Sequence, residues 1–133
     1  MDEPDSGVKK AAIVALIIAL IIIMALFAVS LYLDKKEQKR QAEIDDSITR
    51  TIQCLQDKQV RVYVNGTSSV AWKKQLAQFR NQSLSELMID CSLSEPAMAA
   101  CQKLGIEEWP VWQGDALIYG VFNPGQLWER AEC

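Results

Sequence analysis

From Ala11 to Leu33 the chain carries no charge and almost nothing polar beyond Ser30 and Tyr32. At about 1.5 Å per residue this run makes a helix of about 35 Å, enough for the ~30 Å hydrocarbon core of a bilayer with some tilt. A cleavable signal peptide would have a shorter apolar run and a small-x-small site after it. Here Asp34-Lys-Lys-Glu-Gln-Lys-Arg40 follows, so the run reads as an uncleaved anchor. Residues 1–10 before it read as a short acidic tail, with Met1 to Gly7 disordered by composition. Residues 34–42 read as a charged stalk, which turns into an amphipathic helix with Ile44, Ile48, Ile52 and Leu55 in one apolar stripe. Such a stripe needs a surface to cover, and Cys54 lies on its flank.

Beyond Lys58 the period changes. Val60-Arg-Val-Tyr-Val64 alternates and is β-branched, which predicts a strand stopped by Asn65-Gly66. Thr67, Ser68 or Ser69 can cap the helix that follows, whose buried face is Trp72, Leu76 and Phe79, with Lys73, Lys74, Gln78 and Gln82 outside. Leu87-Met-Ile89 is a second strand ending at Asp90-Cys91. A helix over 96–104 carries Cys101 and stops at Gly105. Val111-Trp112 and Ala116–Tyr119 read as a hairpin about Gln113-Gly-Asp115. Asn123-Pro124, with Gln126 at N3, opens a last helix with Leu127, Trp128 and Ala131 facing inward. The order α-β-α-β-α-β-β-α implies a small mixed sheet with helices on both faces, its first connections parallel crossovers and its last a hairpin.

Composition narrows the chemistry. The absence of His removes His-based triads, His general bases and the usual zinc ligand sets. From Gln41 onward 8 Lys/Arg stand against 12 Asp/Glu, a net charge of −4. An acidic domain without a basic stripe is a poor partner for nucleic acid. Cys54, Cys91, Cys101 and Cys133 all follow the apolar run, and an even count on one side of a membrane favours disulfides in an oxidising compartment over reduced, buried cysteines. Lys35, Lys36, Lys39 and Arg40 outnumber Lys9 and Lys10, so the positive-inside rule points the other way, to a cytoplasmic C-terminal side. Ala11, Ala15 and Ala19 put small side chains on one face of the anchor. That face suits a neighbouring transmembrane helix, although Ala is common in such helices.

The residues resemble a known family. Tyr63 to Gln75, Ile89-Asp-Cys-Ser92, Ala100-Cys-Gln-Lys-Leu-Gly-Ile106, Trp109-Pro-Val-Trp112 and Tyr119-Gly-Val-Phe-Asn-Pro-Gly-Gln-Leu127 are similar to the thioredoxin-like domain fused to bacterial vitamin K epoxide reductase homologues. The resemblance covers about residues 43–130 and is most specific in its second half. It implies an α/β, thioredoxin-like domain over 43–133 behind a single transmembrane helix over 11–33. It implies further that Cys91 and Cys101 form a structural disulfide and that Pro110 is a cis-proline. Cys54 and Cys133 match nothing in the family; pairing with each other, pairing with a partner, and remaining free all stay open.

At the redox motif the chain departs from that family. Where the family has Cys-x-x-Cys, this chain has Ser68-Ser69-Val70-Ala71. Thioredoxin chemistry needs a thiolate at that helix N-terminus and a resolving thiol one turn later. Neither is present, and no other catalytic residue, metal site, cofactor or small-molecule substrate suggests itself. The expectation is a redox-inactive accessory, assembly or docking subunit of a membrane complex, its partners being integral membrane proteins and the lipid bilayer, not nucleic acid. Gly66, Thr67, Trp72 and Trp109 would line a groove for an extended peptide. The alternative is a thiol-disulfide oxidoreductase working through Cys54 or Cys133. The domains of the resembling family face the extracytoplasmic side, so the resemblance and the cysteines place the C-terminal domain there, against the charge count.

Overall fold

A computed structural model describes residues 6–133. Of the expected tail over 1–10, residues 1–5 lie outside the described residues and Ser6–Lys10 are helical, because a helix started by the apolar run propagates into its neighbours at little cost. The elements are α1 (Ser6–Asp57), β1 (Arg61–Val64), α2 (Val70–Gln78), β2 (Met88–Asp90), α3 (Glu95–Lys103), β3 (Val111–Gln113), β4 (Leu117–Tyr119) and α4 (Pro124–Arg130). The chain divides into two units, residues 1–44 and Asp45–Cys133.

Within the first unit α1 is apolar all round from residue 11 to residue 33. Ile13, Val14, Leu16, Ile17, Ile18 and Leu20, which point around the whole circumference, are each about half exposed or more. The helix is long and apolar enough to cross a membrane. Past Leu33 the surface becomes charged, with Arg40 bridging to Glu37 at 3.0 Å.

The second unit is a mixed α/β layer structure. Its sheet runs β2-β1-β3-β4, with β1 parallel to β2 and antiparallel to β3, and β3 antiparallel to β4. The register pairs Tyr63 with Ile89 and with Val111, and Trp112 with Ile118. Alternation along the strands builds two cores. Val62, Val64 and Trp112 point to one face, where they meet Ile48 and Leu55 of α1, Trp72 and the C-cap Phe79 of α2, and Leu127 of α4. Tyr63 and Val111 point to the other face, against Cys91 and Cys101, with Ile89, Ile106, Trp109 and Leu117 around them. Fully burying one such side chain contributes about 1.5–3 kcal/mol.

One expectation is corrected here. The second connection, from β2 through α3 to β3, is not a parallel crossover between neighbours. β1 lies between the two strands, and β3 runs antiparallel to it. The reason is the hairpin: β3 is short and half of a two-strand ribbon with β4, so it adds to the free edge of β1 and leaves β2 as the other edge. The turn also shifts by one residue, with Ala116 in the turn and β4 beginning at Leu117.

Each helix end shows its local cause. Ser69, Ser94 and Asn123 cap α2, α3 and α4, accepting from Trp72 N, Ala97 N and Gln126 N respectively. Asn123 and Gln126 form the expected reciprocal capping box. At the C-termini, α1, α2 and α4 close in Schellman turns. Val60 N donates to Leu55 O at 2.9 Å, Asn81 N to Leu76 O at 2.9 Å, and Cys133 N to Trp128 O at 2.9 Å. The left-handed residues in these turns are Gln59, Arg80, Asn81 and Glu132, none of them glycine. Among the described residues only α3 ends on a glycine, Gly105 at φ +70°.

Candidate functional site

The loop between β1 and α2 is held by Asp90. This carboxylate, at the end of β2, accepts from Gly66 N at 3.0 Å, Ser92 N at 2.9 Å and Ser92 Oγ at 2.7 Å. Burial alone would raise its pKa, but the three donors outweigh burial and leave the carboxyl below its ordinary 3.8. Gly66 sits there at φ +84°, in the left-handed region that residues with a side chain disfavour. The effect is to pin the start of the loop beside the parallel strand, so that Ser69 arrives as the N-cap of α2.

At that N-terminus the chain presents hydroxyls, not thiols. Ser69 Oγ accepts from Trp72 N at 3.2 Å, Thr67 and Ser68 are exposed, and Ala71 is half-buried. Trp72 itself is buried at 4% exposure in the first core. Trp109 is half-buried against the second core, on the opposite face of the sheet. Gly66 and Thr67 thus share a loop, Trp72 belongs to the first core, and Trp109 stands beside the Cys91–Cys101 pair. The period of α2 explains this. Trp72, Leu76 and Phe79 form the inward stripe, and a side chain in that stripe cannot also face solvent.

The Trp109–Pro110 bond is cis. Pro110 is buried, and its carbonyl accepts from Gly120 N at 3.0 Å, which fastens the head of β3 to the end of β4.

All four cysteines are paired. Cys91–Cys101 joins the end of β2 to α3 across 10 residues, with the two residues 0% and 1% exposed. Cys54–Cys133 joins the last turns of α1 to the third residue past α4 across 79 residues, and both its residues are half-buried. The Cα atoms are 6.1 Å apart in each pair, within the usual range for a disulfide. A cleft of about 260 Å³ has Leu55, Val60, Trp112 and Ala131 among its walls, and it is also lined by Glu132, the chain neighbour of Cys133, as Leu55 is of Cys54. Lys58 and Arg130 stand against Asp115 and Glu132 around it, which leaves no net charge. Trp112 Nε1 is buried without a hydrogen-bond partner.

Two polar anchors were not expected from the sequence. Besides Asp90, Gln75 is fully buried and binds one residue twice: its Nε2 donates to Phe122 O at 2.8 Å and its Oε1 accepts from Phe122 N at 2.9 Å. It ties α2 to the segment before α4. The signal was present, because position 75 lies between Trp72 and Phe79 in the apolar stripe, where a polar side chain needs a buried partner. Conversely, Trp128 was expected inward but is 39% exposed, while Leu127 fills the core. A seven-residue helix has only a narrow buried stripe, and adjacent positions lie about 100° apart around it. Ala11, Ala15 and Ala19 are exposed on α1.

Comparison with protein-family models, curated proteins and solved structures gives no match for this chain.

Proposed function

We propose that this chain is a single-pass membrane-anchored protein whose second unit has a thioredoxin-like fold, akin to the domain fused to bacterial vitamin K epoxide reductase homologues, and that it serves a membrane complex as an accessory, assembly or docking subunit without redox catalysis. The sheet order β2-β1-β3-β4 with β3 alone antiparallel, the helix following β1, and the cis Trp109–Pro110 bond at the head of β3 support the fold reading. One observation carries the functional reading: the N-terminus of α2, where that chemistry requires a thiolate, holds Ser68, Ser69 and Ala71, and every cysteine of the chain is tied into a disulfide. Two disulfides also suit an extracytoplasmic placement of the second unit.

The competing reading, a thiol-disulfide oxidoreductase using Cys54 or Cys133, requires catalytic turnover. Insulin reduction by the full-length protein in detergent, with a dithiol as the electron source, separates the two. The docking reading expects no rate above the dithiol alone. A rate that scales with protein concentration and vanishes in Cys54→Ser would overturn it.

A further inference from the structure

The two disulfides differ in what surrounds them. Cys91 and Cys101 are sealed between α3 and the sheet by Tyr63, Val111, Ile89, Ile106, Trp109 and Leu117. Thiol-disulfide exchange needs a thiolate to approach a sulfur along the S–S axis, so this pair exchanges only after the sheet opens. Cys54 and Cys133 are half-buried, and their chain neighbours Leu55 and Glu132 line the open cleft. The charges around that cleft balance, so access, not local potential, sets which pair reacts first.

The second pair also sits where cleavage has a local consequence. Cys54 lies in the last turns of α1, and Cys133 is the residue that closes the Schellman turn of α4. That turn holds Glu132 at φ +53°, in the left-handed region that L-residues disfavour. Only Leu127 of α4 is buried. α4 is thus a short helix with one buried side chain, fastened at its start by the capping box and at its end by the Cys54–Cys133 bond.

We propose that Cys54–Cys133 is a reversible exchange site for an external dithiol, and that this bond clasps the end of α4 to the end of α1 while Cys91–Cys101 stays closed. The first thiolate of the dithiol attacks one sulfur of the pair, forming a mixed disulfide and expelling the other cysteine as a thiolate. The second thiol of the dithiol then displaces the bound cysteine. The dithiol leaves as its disulfide, and two electrons and two protons pass to Cys54 and Cys133 as thiols. The chain is the substrate of this exchange, not its catalyst. The inference does not rest on the docking reading, since it concerns a bond away from the α2 N-terminus.

The test treats the full-length protein in membrane vesicles with rising concentrations of dithiothreitol, traps free thiols with an alkylating reagent, and maps the labelled cysteines by mass. Cys54 and Cys133 are expected to label together, at least about tenfold faster than Cys91 and Cys101, as accessibility controls exchange. Hydrogen exchange on the same sample is expected to speed up over Pro124–Arg130 first, ahead of β1 and β3. Simultaneous labelling of all four cysteines, earlier labelling of Cys91 and Cys101, no labelling short of denaturation, or unchanged protection of α4 once Cys54 and Cys133 are reduced would each overturn the proposal.

Discussion

Gln75→Leu is the sharpest perturbation of this fold. The leucine keeps about the same volume in a site that is 0% exposed, so packing changes little. What it removes are the two hydrogen bonds to Phe122, at 2.8 and 2.9 Å. Each such bond contributes about 0.5–1.5 kcal/mol net, and each backbone group left buried without a partner costs about 1–3 kcal/mol. Phe122 is only half-buried, so water reaches part of what is orphaned and the lower part of the range applies. The expected loss is about 2–4 kcal/mol, or about 10–25 °C in melting temperature for a unit of this size. Urea unfolding of the full-length protein in mild detergent, followed by tryptophan fluorescence, measures it. The midpoint should fall with the slope unchanged. Gln75→Glu adds a control: the carboxylate still accepts from Phe122 N but cannot donate to Phe122 O until protonated, so its deficit should shrink as pH falls. A loss below about 0.5 kcal/mol in Gln75→Leu, the range of an ordinary surface substitution, would refute the view that this side chain fastens α2 to the segment before α4.

Further predictions address the rest of the account. The Asp90 carboxyl has a folded pKa below its ordinary 3.8, so it stabilises the fold at higher pH and that contribution fades as pH drops through the folded value. Asp90→Asn should therefore lower the midpoint near neutral pH and lose least in acid; an equal loss at pH 7 and pH 2.5 would contradict this. Gln59→Gly relieves a left-handed residue at φ 56° and should stabilise by about 0.5–1 kcal/mol in the same unfolding assay. Loss of stability there would mean the Gln59 side chain holds more than its turn. On the chain-entropy account, removing Cys54–Cys133 should cost about 4.5 kcal/mol and removing Cys91–Cys101 about 2.7 kcal/mol, because the first closes the longer loop. The reverse order would show that burial outweighs loop length. Finally, S68C/A71C places a dithiol at the start of α2, and the first thiol should titrate between about 3.5 and 7.5 by mass-resolved alkylation. A value near the ordinary 8.5 would count against the thioredoxin-like reading.

Much of this architecture was readable from side-chain periods. The long anchor, the alternation of Val60–Val64, the Trp72-Leu76-Phe79 stripe and the Asn123/Gln126 capping box are local signals, and each element forms where its pattern stands. What escaped is non-local. The antiparallel placement of β3 beside β1 follows from which sheet edge the hairpin finds, and no residue of β3 encodes that alone. The double bond from Gln75 to Phe122 spans 47 residues and needs both partners in view. Trp72 was read as core and is buried in it. Asp90 was visible only as the residue before a cysteine, because its role depends on the parallel pairing that brings Gly66 beside it.

The central claim is that a thioredoxin-like unit without its dithiol serves a larger membrane assembly. It is tested most directly by the mass of the protein extracted from its native membrane in mild detergent, measured by light scattering after size exclusion. The account predicts a particle well above the detergent-bound monomer of 14.9 kDa chains, with at least one other integral membrane protein in fixed proportion. Recovery only as a free monomer, from membranes in which the chain is abundant, would contradict it.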